Sequence, residues 1–274
     1  MSLDILIGVT EEGNDLRLDV DTSGHMAIQG MTRSGKSVLT YVLVAHAVTM
    51  PGVLVAGCDP TGILLGPLQQ AEESELRAVG LADPRSHANT VGALVEEMDR
   101  RIASLYAPES GLFRDKLAAD DFANGVPLIL AIFEEYPGLL AALDDDDRLH
   151  GRKPDARLGN RVRVGVRRLI QEGAKVGIRV VLIAQRMDAA IIGGAERSNL
   201  ATRVSMRVDN ADALRMLHPG ATSELLERVE HFPPGRGYFE SPQHPGAVFR
   251  ADYMTYERYA KHIANPMKDE GKDQ

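Results

Sequence analysis

The stretch His25-Met26-Ala27-Ile28-Gln29-Gly30-Met31-Thr32-Arg33-Ser34-Gly35-Lys36-Ser37 decides the fold. Its last eight residues fit G-x-x-x-x-G-K-[ST], and they stand where that loop requires, after a short apolar strand ending at Gln29 and before a helix starting near Lys36. In such a loop, successive backbone N–H groups wrap a β-phosphate while the helix N-terminus adds a favourable dipole. Lys36 reaches the β- and γ-phosphates, and Ser37 offers its hydroxyl to Mg²⁺. Glycine is needed at Gly30 and Gly35 because the backbone turns sharply and approaches the phosphates closely. The expected nucleotide-binding residues are Gly30, Thr32, Arg33, Ser34, Gly35, Lys36, Ser37 and Val38, with ATP and Mg²⁺ as cofactors.

Outward from this loop, short apolar runs alternate with helical stretches, the pattern of βαβ units on a mainly parallel sheet flanked by helices. The sequence predicts five core strands: 25–29, 53–58, 128–133, 178–184 and 203–208. Helices are expected over 36–48, 90–105, 161–176, 211–217 and 223–229. Residues 5–20 alternate well enough for a small N-terminal β-hairpin turning at Glu12-Gly13-Asn14-Asp15. Two segments, 108–125 and 139–160, read as excursions from the sheet, and 265–274 as a polar, frayed tail.

A phosphate loop needs an acidic partner at the end of another strand, because the metal and the attacking water must be held opposite it. Leu128-Ile129-Leu130-Ala131-Ile132-Phe133-Glu134-Glu135 supplies one, and two carboxylates at the mouth of an apolar strand are costly unless they meet a cation or water. Glu134 is assigned to the water shell of Mg²⁺ and Glu135 to polarising the nucleophilic water. The strand 178–184 ends in Gln185-Arg186, and the Gln185 amide, which donates and accepts, suits a γ-phosphate sensor as well as an ordinary strand exit.

The 274 residues, 44% hydrophobic, exclude disorder and give room for one large α/β domain or two small ones. No apolar run is long enough for a membrane helix and residues 1–4 lack a signal peptide's basic start, so the expected location is the cytoplasm. Cys58, the single cysteine, sits in an apolar run and reads as core packing. A net charge of −8 discourages a nucleic-acid partner, yet Arg148, Arg152, Lys153, Arg157, Arg161, Arg163, Arg167, Arg168, Lys175 and Arg179 form a cationic block directly after Asp144-Asp145-Asp146-Asp147. Such a polarised segment suits a solvated face or an interaction element.

Six blocks in order give the chain a family likeness from about His25 to Tyr253. The loop with its preceding His25, Cys58-Asp59-Pro60, Glu97-Met98-Asp99-Arg100-Arg101, the strand from Gly177 to Arg186, Asn199-Leu200-Ala201-Thr202-Arg203-Val204 and Pro233-Pro234-Gly235-Arg236-Gly237 resemble the motor domain of FtsK/SpoIIIE-type DNA translocases. The resemblance implies a RecA-like P-loop NTPase fold, ATP hydrolysis coupled to movement of double-stranded DNA, and a homo-oligomeric ring, hexameric, with nucleotide at subunit interfaces. It implies a trans-acting arginine, for which Arg203 is the candidate and Arg207 the reserve, although a structural salt bridge suits either. It also places the DNA path on the loop after the acidic strand, at Arg152, Lys153 and Arg157. The expected organisation is a hairpin lead-in (1–22), a motor (23–262) and a tail (263–274). Departures are Glu134-Glu135 for the family's Asp-Glu, which puts full activity in doubt, and Asp59-Pro60-Thr61 for its Asp-Pro-Lys. A membrane anchor or DNA-recognition module is expected on a separate partner, as in a compact plasmid-transfer or phage-type motor. The alternatives are a protein-moving motor like type VII secretion ATPases, or a nucleotide-gated module that does not hydrolyse.

Overall fold

The computed structural model describes residues 3–107, 112–188 and 193–265. In chain order the elements begin β1 (Asp4–Thr10), β2 (Asp15–Asp19), β3 (Met26–Gln29), α1 (Lys36–Thr49), β4 (Val53–Asp59), α2 (Gly66–Ala71), β5 (Arg77–Val79) and α3 (Pro84–Leu105). They continue with β6 (Tyr106–Ala107), β7 (Leu112–Phe113), α4 (Ala119–Ala123), β8 (Leu128–Phe133), α5 (Tyr136–Leu149) and α6 (Leu158–Glu172). The chain then runs through β9 (Ile178–Ala184), α7 (Gly194–Asn199), β10 (Thr202–Met206), α8 (Ala211–Leu217), α9 (Ser223–Glu230), β11 (Arg236–Ser241), β12 (His244–Ala251) and α10 (Tyr256–Ala264). It divides into two compact units, Met1–Met50 with Val181–Gln274, and Pro51–Val180.

In the first unit the strand order is β2-β1-β12-β11-β10-β3, with β3 then beside the later half of β9. The strands β10, β3 and β9 are parallel, as the βαβ pattern requires, whereas β11, β12, β1 and β2 extend the sheet antiparallel. The expected N-terminal hairpin is present, its turn closed by Thr10 N–H to the Asn14 carbonyl and Gly13 N–H to that of Thr10. Helix α1 is apolar nearly all round, and its Tyr41 stacks on Tyr259 of α10 with ring centroids 4.9 Å apart. A second cluster, Val208, Leu214, Leu226, Val229 and Phe232, seats α8 and α9.

The second unit holds the parallel strands β8, β4 and β5. Every residue of β8 is buried, which accounts for its unbroken apolar sequence. Gly57 allows β4 to lie close to β8: its φ is +125° and a Cβ there would fall 1.8 Å from the Ile132 carbonyl oxygen. The Arg101 guanidinium, almost wholly buried, pairs with Glu97 at 2.6 Å and donates to the Val176 carbonyl at 2.9 Å. Arg168 of α6 reaches Asp99 at 2.6 Å, so the Glu-Met-Asp-Arg-Arg block fastens α3 to the segment around α6. At the outer strand of this unit, Arg77 of β5 points inward and donates to the Val55 carbonyl at 3.1 Å.

Residues 139–160, read from sequence as an excursion, are largely helical: α5 and a short 3-10 turn (Pro154–Ala156) lead into α6. The aspartate run is the reason. Asp144 pairs with Arg163 of α6, Asp145 with Arg148 and Asp146 with Arg152, while Asp147 accepts from Arg152 at 3.0 Å. Asp147 is buried and also accepts the backbone N–H groups of Leu158 and Gly159, at 2.9 and 3.0 Å, capping α6 from a neighbouring helix. The acidic run and the basic block are thus two halves of one staple. The excursion 108–125 contains β7, which pairs with β6 just before it, and α4; residues 108–111 and the tail beyond 265 lie outside the described residues.

Replacing Asp147 by alanine is expected to destabilise the protein by about 2–3 kcal/mol, because two buried amides and a guanidinium lose their acceptor. Burial alone would raise the Asp147 carboxyl, but the Leu158 and Gly159 amides and Arg152 outweigh it and hold it below the usual carboxylate range. This contribution is therefore complete above a pH of about 4 and lost as pH falls through the lowered value. Denaturant unfolding of the parent and Asp147→Ala at neutral and acid pH checks it: the gap should close on the acid side.

Candidate nucleotide site

The loop Gly30–Ser37 runs from the end of β3 to the first turn of α1. Gly30 N–H meets the Ala184 carbonyl at 3.3 Å and Met31 N–H that of Arg207 at 2.9 Å, so the loop is hung from the ends of β9 and β10. Gly35 has φ +99°, and a Cβ there would stand 2.5 Å from the Gly235 nitrogen. A Cβ on Gly30 would stand 2.7 Å from both Met206 Cβ and Ser34 Oγ. Arg33 adopts φ +62° without being glycine. Helix α1 starts at Lys36 with no side-chain cap, and Ser34 Oγ is buried with no hydrogen-bond partner among the described residues. An uncapped helix start behind a glycine-shaped cradle fits a bound phosphate chain.

Gly235 N–H donates to the Ser34 carbonyl at 2.8 Å, which gives the Pro233-Pro234-Gly235 segment a physical role as a brace behind the loop. Next to it lies a cleft of about 360 Å³ lined by Gly35, Val38, Pro234, Gly235, Arg250 and Tyr253, with Asp252 at its rim. Of the cleft residues beyond the loop, sequence reading marked the Pro-Pro-Gly segment and missed Arg250, Asp252 and Tyr253. Those three lie at and just past the end of β12, without any motif of their own.

Gln185 follows β9 directly, one residue after Ala184, whose carbonyl accepts the Gly30 N–H. Arg203 stands opposite Ala27, two residues before the end of β3 and three before Gly30, or about 10 Å back along the sheet from its own loop. Its guanidinium donates to the carbonyls of Leu200 and Arg197, at 2.9 and 3.2 Å, around the end of α7. Arg207 lies just past the end of β10 rather than within a strand reaching Val208, and its backbone holds Met31.

The acidic element belongs to the second unit. Glu134 N–H bonds the Cys58 carbonyl at 2.9 Å, continuing the β8–β4 ladder by one residue. Glu135 then breaks it: at φ 42°, ψ 50° it is left-handed and forms the N-terminal boundary of α5. Among the described residues, the non-glycine residues at positive φ are Arg33 and Glu135, one in the loop and one in the acidic pair. Strained backbone collects where function holds it. Asp59, by contrast, accepts from Thr61, Gly62, Leu64 and Leu65 through both oxygens and is a saturated turn organiser. Cys58 is buried with its Sγ toward the His87 carbonyl, and burial raises its thiol well above the usual range, in keeping with a core role.

In the cationic block, Arg152 is committed to Asp146 and Asp147, Arg163 to Asp144 and Arg168 to Asp99. Lys153, Arg157 and Arg161 stand exposed on the turn between α5 and α6 and on the first turn of α6.

A strand-loop-helix phosphate cradle on a mainly parallel α/β sheet defines a P-loop ATPase. The chain belongs to the FtsK/SpoIIIE family, whose profile matches residues 1–229. It is 25% identical over 228 residues to the DNA translocase SftA of Bacillus subtilis, covering 80% of this chain and 22% of that protein. It is 24% identical over 267 residues to the DNA translocase FtsK of Haemophilus influenzae, covering 92% and 50%. The chain spans no more than about half the length of these curated relatives. Among solved structures, the pCW3 conjugation coupling protein TcpA with ATPγS superposes with a TM-score of 0.72 at 21% identity, covering 96% of this chain and 70% of that one. The cytoplasmic domain of the Thermomonospora curvata type VII secretion ATPase EccC gives 0.70 at 21%, covering 96% and 31%. At that identity these likenesses establish the fold alone.

Proposed function

We propose that the chain is the motor of a double-stranded DNA translocase, working as a homo-oligomeric ring, hexameric, in plasmid transfer, phage or chromosome handling. The observation that carries this reading is the phosphate cradle in a chain whose family profile includes DNA translocases. ATP with Mg²⁺ would supply the phosphoanhydride whose cleavage drives movement. The loop amides and Lys36 hold the phosphates, Ser37 is placed for the metal, and the cleft beside Val38 takes the nucleoside. Glu134 orients metal-bound water, Glu135 orients and deprotonates the attacking water, and Gln185 senses the terminal phosphate. Arg203 lies too far back to serve its own loop and is assigned to a neighbour's, at the cost of its contacts with α7. The motor comprises residues 23–262, preceded by the hairpin and followed by the tail. Among the described residues no helix is long and apolar enough to cross a membrane. The family likeness supports, as part of the same proposal, a cytoplasmic motor recruited by a separate membrane or DNA-recognition partner.

The cations proposed to track DNA phosphates are Lys153 and Arg157, joined by Arg161; Arg152 supports them by holding the turn to Asp146 and Asp147. Linear duplex DNA is expected to stimulate ATP turnover about tenfold. Lys153→Ala/Arg157→Ala/Arg161→Ala should remove the stimulation, keep basal turnover, and reduce the log–log salt slope of duplex binding by about 2–3. Stimulation that survives in the triple variant would put the DNA path elsewhere. A parent that turns over ATP but ignores duplex would favour the protein-moving alternative. A parent that binds nucleotide without turnover would favour the non-hydrolysing module.

A further inference from the structure

Gln29, the last residue of β3, is fully buried, and its amide is used on every side. Its Nε2 donates to Ser205 Oγ at 2.9 Å and to the Ala213 carbonyl at 2.9 Å, while its Oε1 accepts the Met187 backbone N–H at 3.2 Å. Ser205 Oγ lies 2.8 Å from His218 Nε2, His218 Nδ1 lies 2.7 Å from Glu240 Oε2, and Tyr238 donates to Glu240 Oε1 at 3.2 Å. Ser205 and His218 are buried, and Glu240 opens partly to solvent.

The proton order along this chain is determined. A carboxylate only accepts, so His218 carries its hydrogen on Nδ1 and donates it to Glu240. His218 Nε2 therefore accepts the Ser205 hydroxyl, and Ser205 Oγ accepts the Gln29 amide. A second proton on the imidazole would face the Ser205 hydrogen and force the hydroxyl to turn away. Burial pushes the His218 imidazole below its ordinary value, with Glu240 offsetting part of that, and burial raises the Tyr238 phenol to about 12 so that it stays a donor. The titratable and charged groups around the ring are Glu240 and Tyr238 of β11 and Arg203 of β10.

Gln29 joins two parts of the nucleotide site. It precedes Gly30, the first residue of the loop, and it holds Met187, two residues past the sensor Gln185. We infer that Gln29 is a positioning residue which, through the buried chain Ser205–His218–Glu240, fixes the loop entry and the Gln185 turn in one arrangement, and that this arrangement depends on a neutral His218. The inference rests on the ATPase reading for its effect on turnover, but not for its effect on structure.

Both effects are measurable on the whole chain. Gln29→Leu, which keeps the volume and removes all three bonds, should raise amide hydrogen exchange at Met187 about tenfold or more without nucleotide. It should also lower kcat for MgATP about tenfold while changing KM less than about threefold, and Ser205→Ala should reproduce this more weakly if Gln29→Leu folds poorly. His218→Gln, which retains an acceptor for Ser205 but cannot titrate, should flatten the fall in kcat on the acid side of the ordinary imidazole value of about 6.5. Unchanged Met187 exchange in Gln29→Leu and Ser205→Ala overturns the inference, as does an acid limb that persists in His218→Gln. If the parent shows no turnover at all, the ATPase reading fails and exchange alone decides the positioning role.

Discussion

Lys36→Ala is expected to lower ATP turnover by about 10³-fold while the protein keeps its fold. Lys36 opens the first turn of α1 just beyond Gly35 and is nearly buried, 9% exposed. In the proposed function this cation meets the phosphates of the nucleotide. Thermal unfolding without nucleotide should therefore change little, whereas the stabilisation that ATP confers on the parent should vanish. Parental turnover in the purified variant would remove the phosphate-loop assignment altogether.

Glu135→Gln should divide binding from chemistry. Glutamine has the same shape and the same backbone requirement, so ATP affinity is expected to stay within about threefold while turnover falls about 10²- to 10³-fold through loss of a base. Glu135→Gly provides an independent signature, because the backbone sits at φ 42°, ψ 50°, which glycine adopts freely. It should be equally inactive yet more stable by about 1 kcal/mol. A glycine variant less stable than the parent would mean that the carboxylate supports the fold and is not held there for catalysis. Binding lost in Glu135→Gln as fully as in Lys36→Ala would lead to the same conclusion.

How much of this was legible in the sequence depended on whether the cause was local. The loop, the start of α1 at Lys36, and strands β8 and β9 could be placed because a motif or an unbroken apolar run carries each within a few residues. Strands β11 and β12 escaped notice: their runs are interrupted by Gly237, Pro245 and Gly246, and β12 finds its other partner in β1, at the opposite end of the sequence. Helix α5 was hidden by its aspartates, which look like a solvated run until Asp147, four residues after the buried Leu143, proves to cap α6. The relay behind the loop had no sequence signal, since Gln29, Ser205, His218 and Glu240 meet only once strands β3, β10 and β11 are side by side.

The outermost strands carry a consequence for how copies of the protein meet. In the first unit β2 is only five residues long and presents Asp15 and Arg17 outward, and in the second β5 is three residues long with the Arg77 guanidinium turned in beneath it. Short, charged borders with an inward cation are poor templates for another chain's backbone. Self-association by adding strand to strand, the route to fibrils and swapped dimers, is thereby discouraged at both borders. The proposed ring is then expected to close through surfaces other than these strand edges.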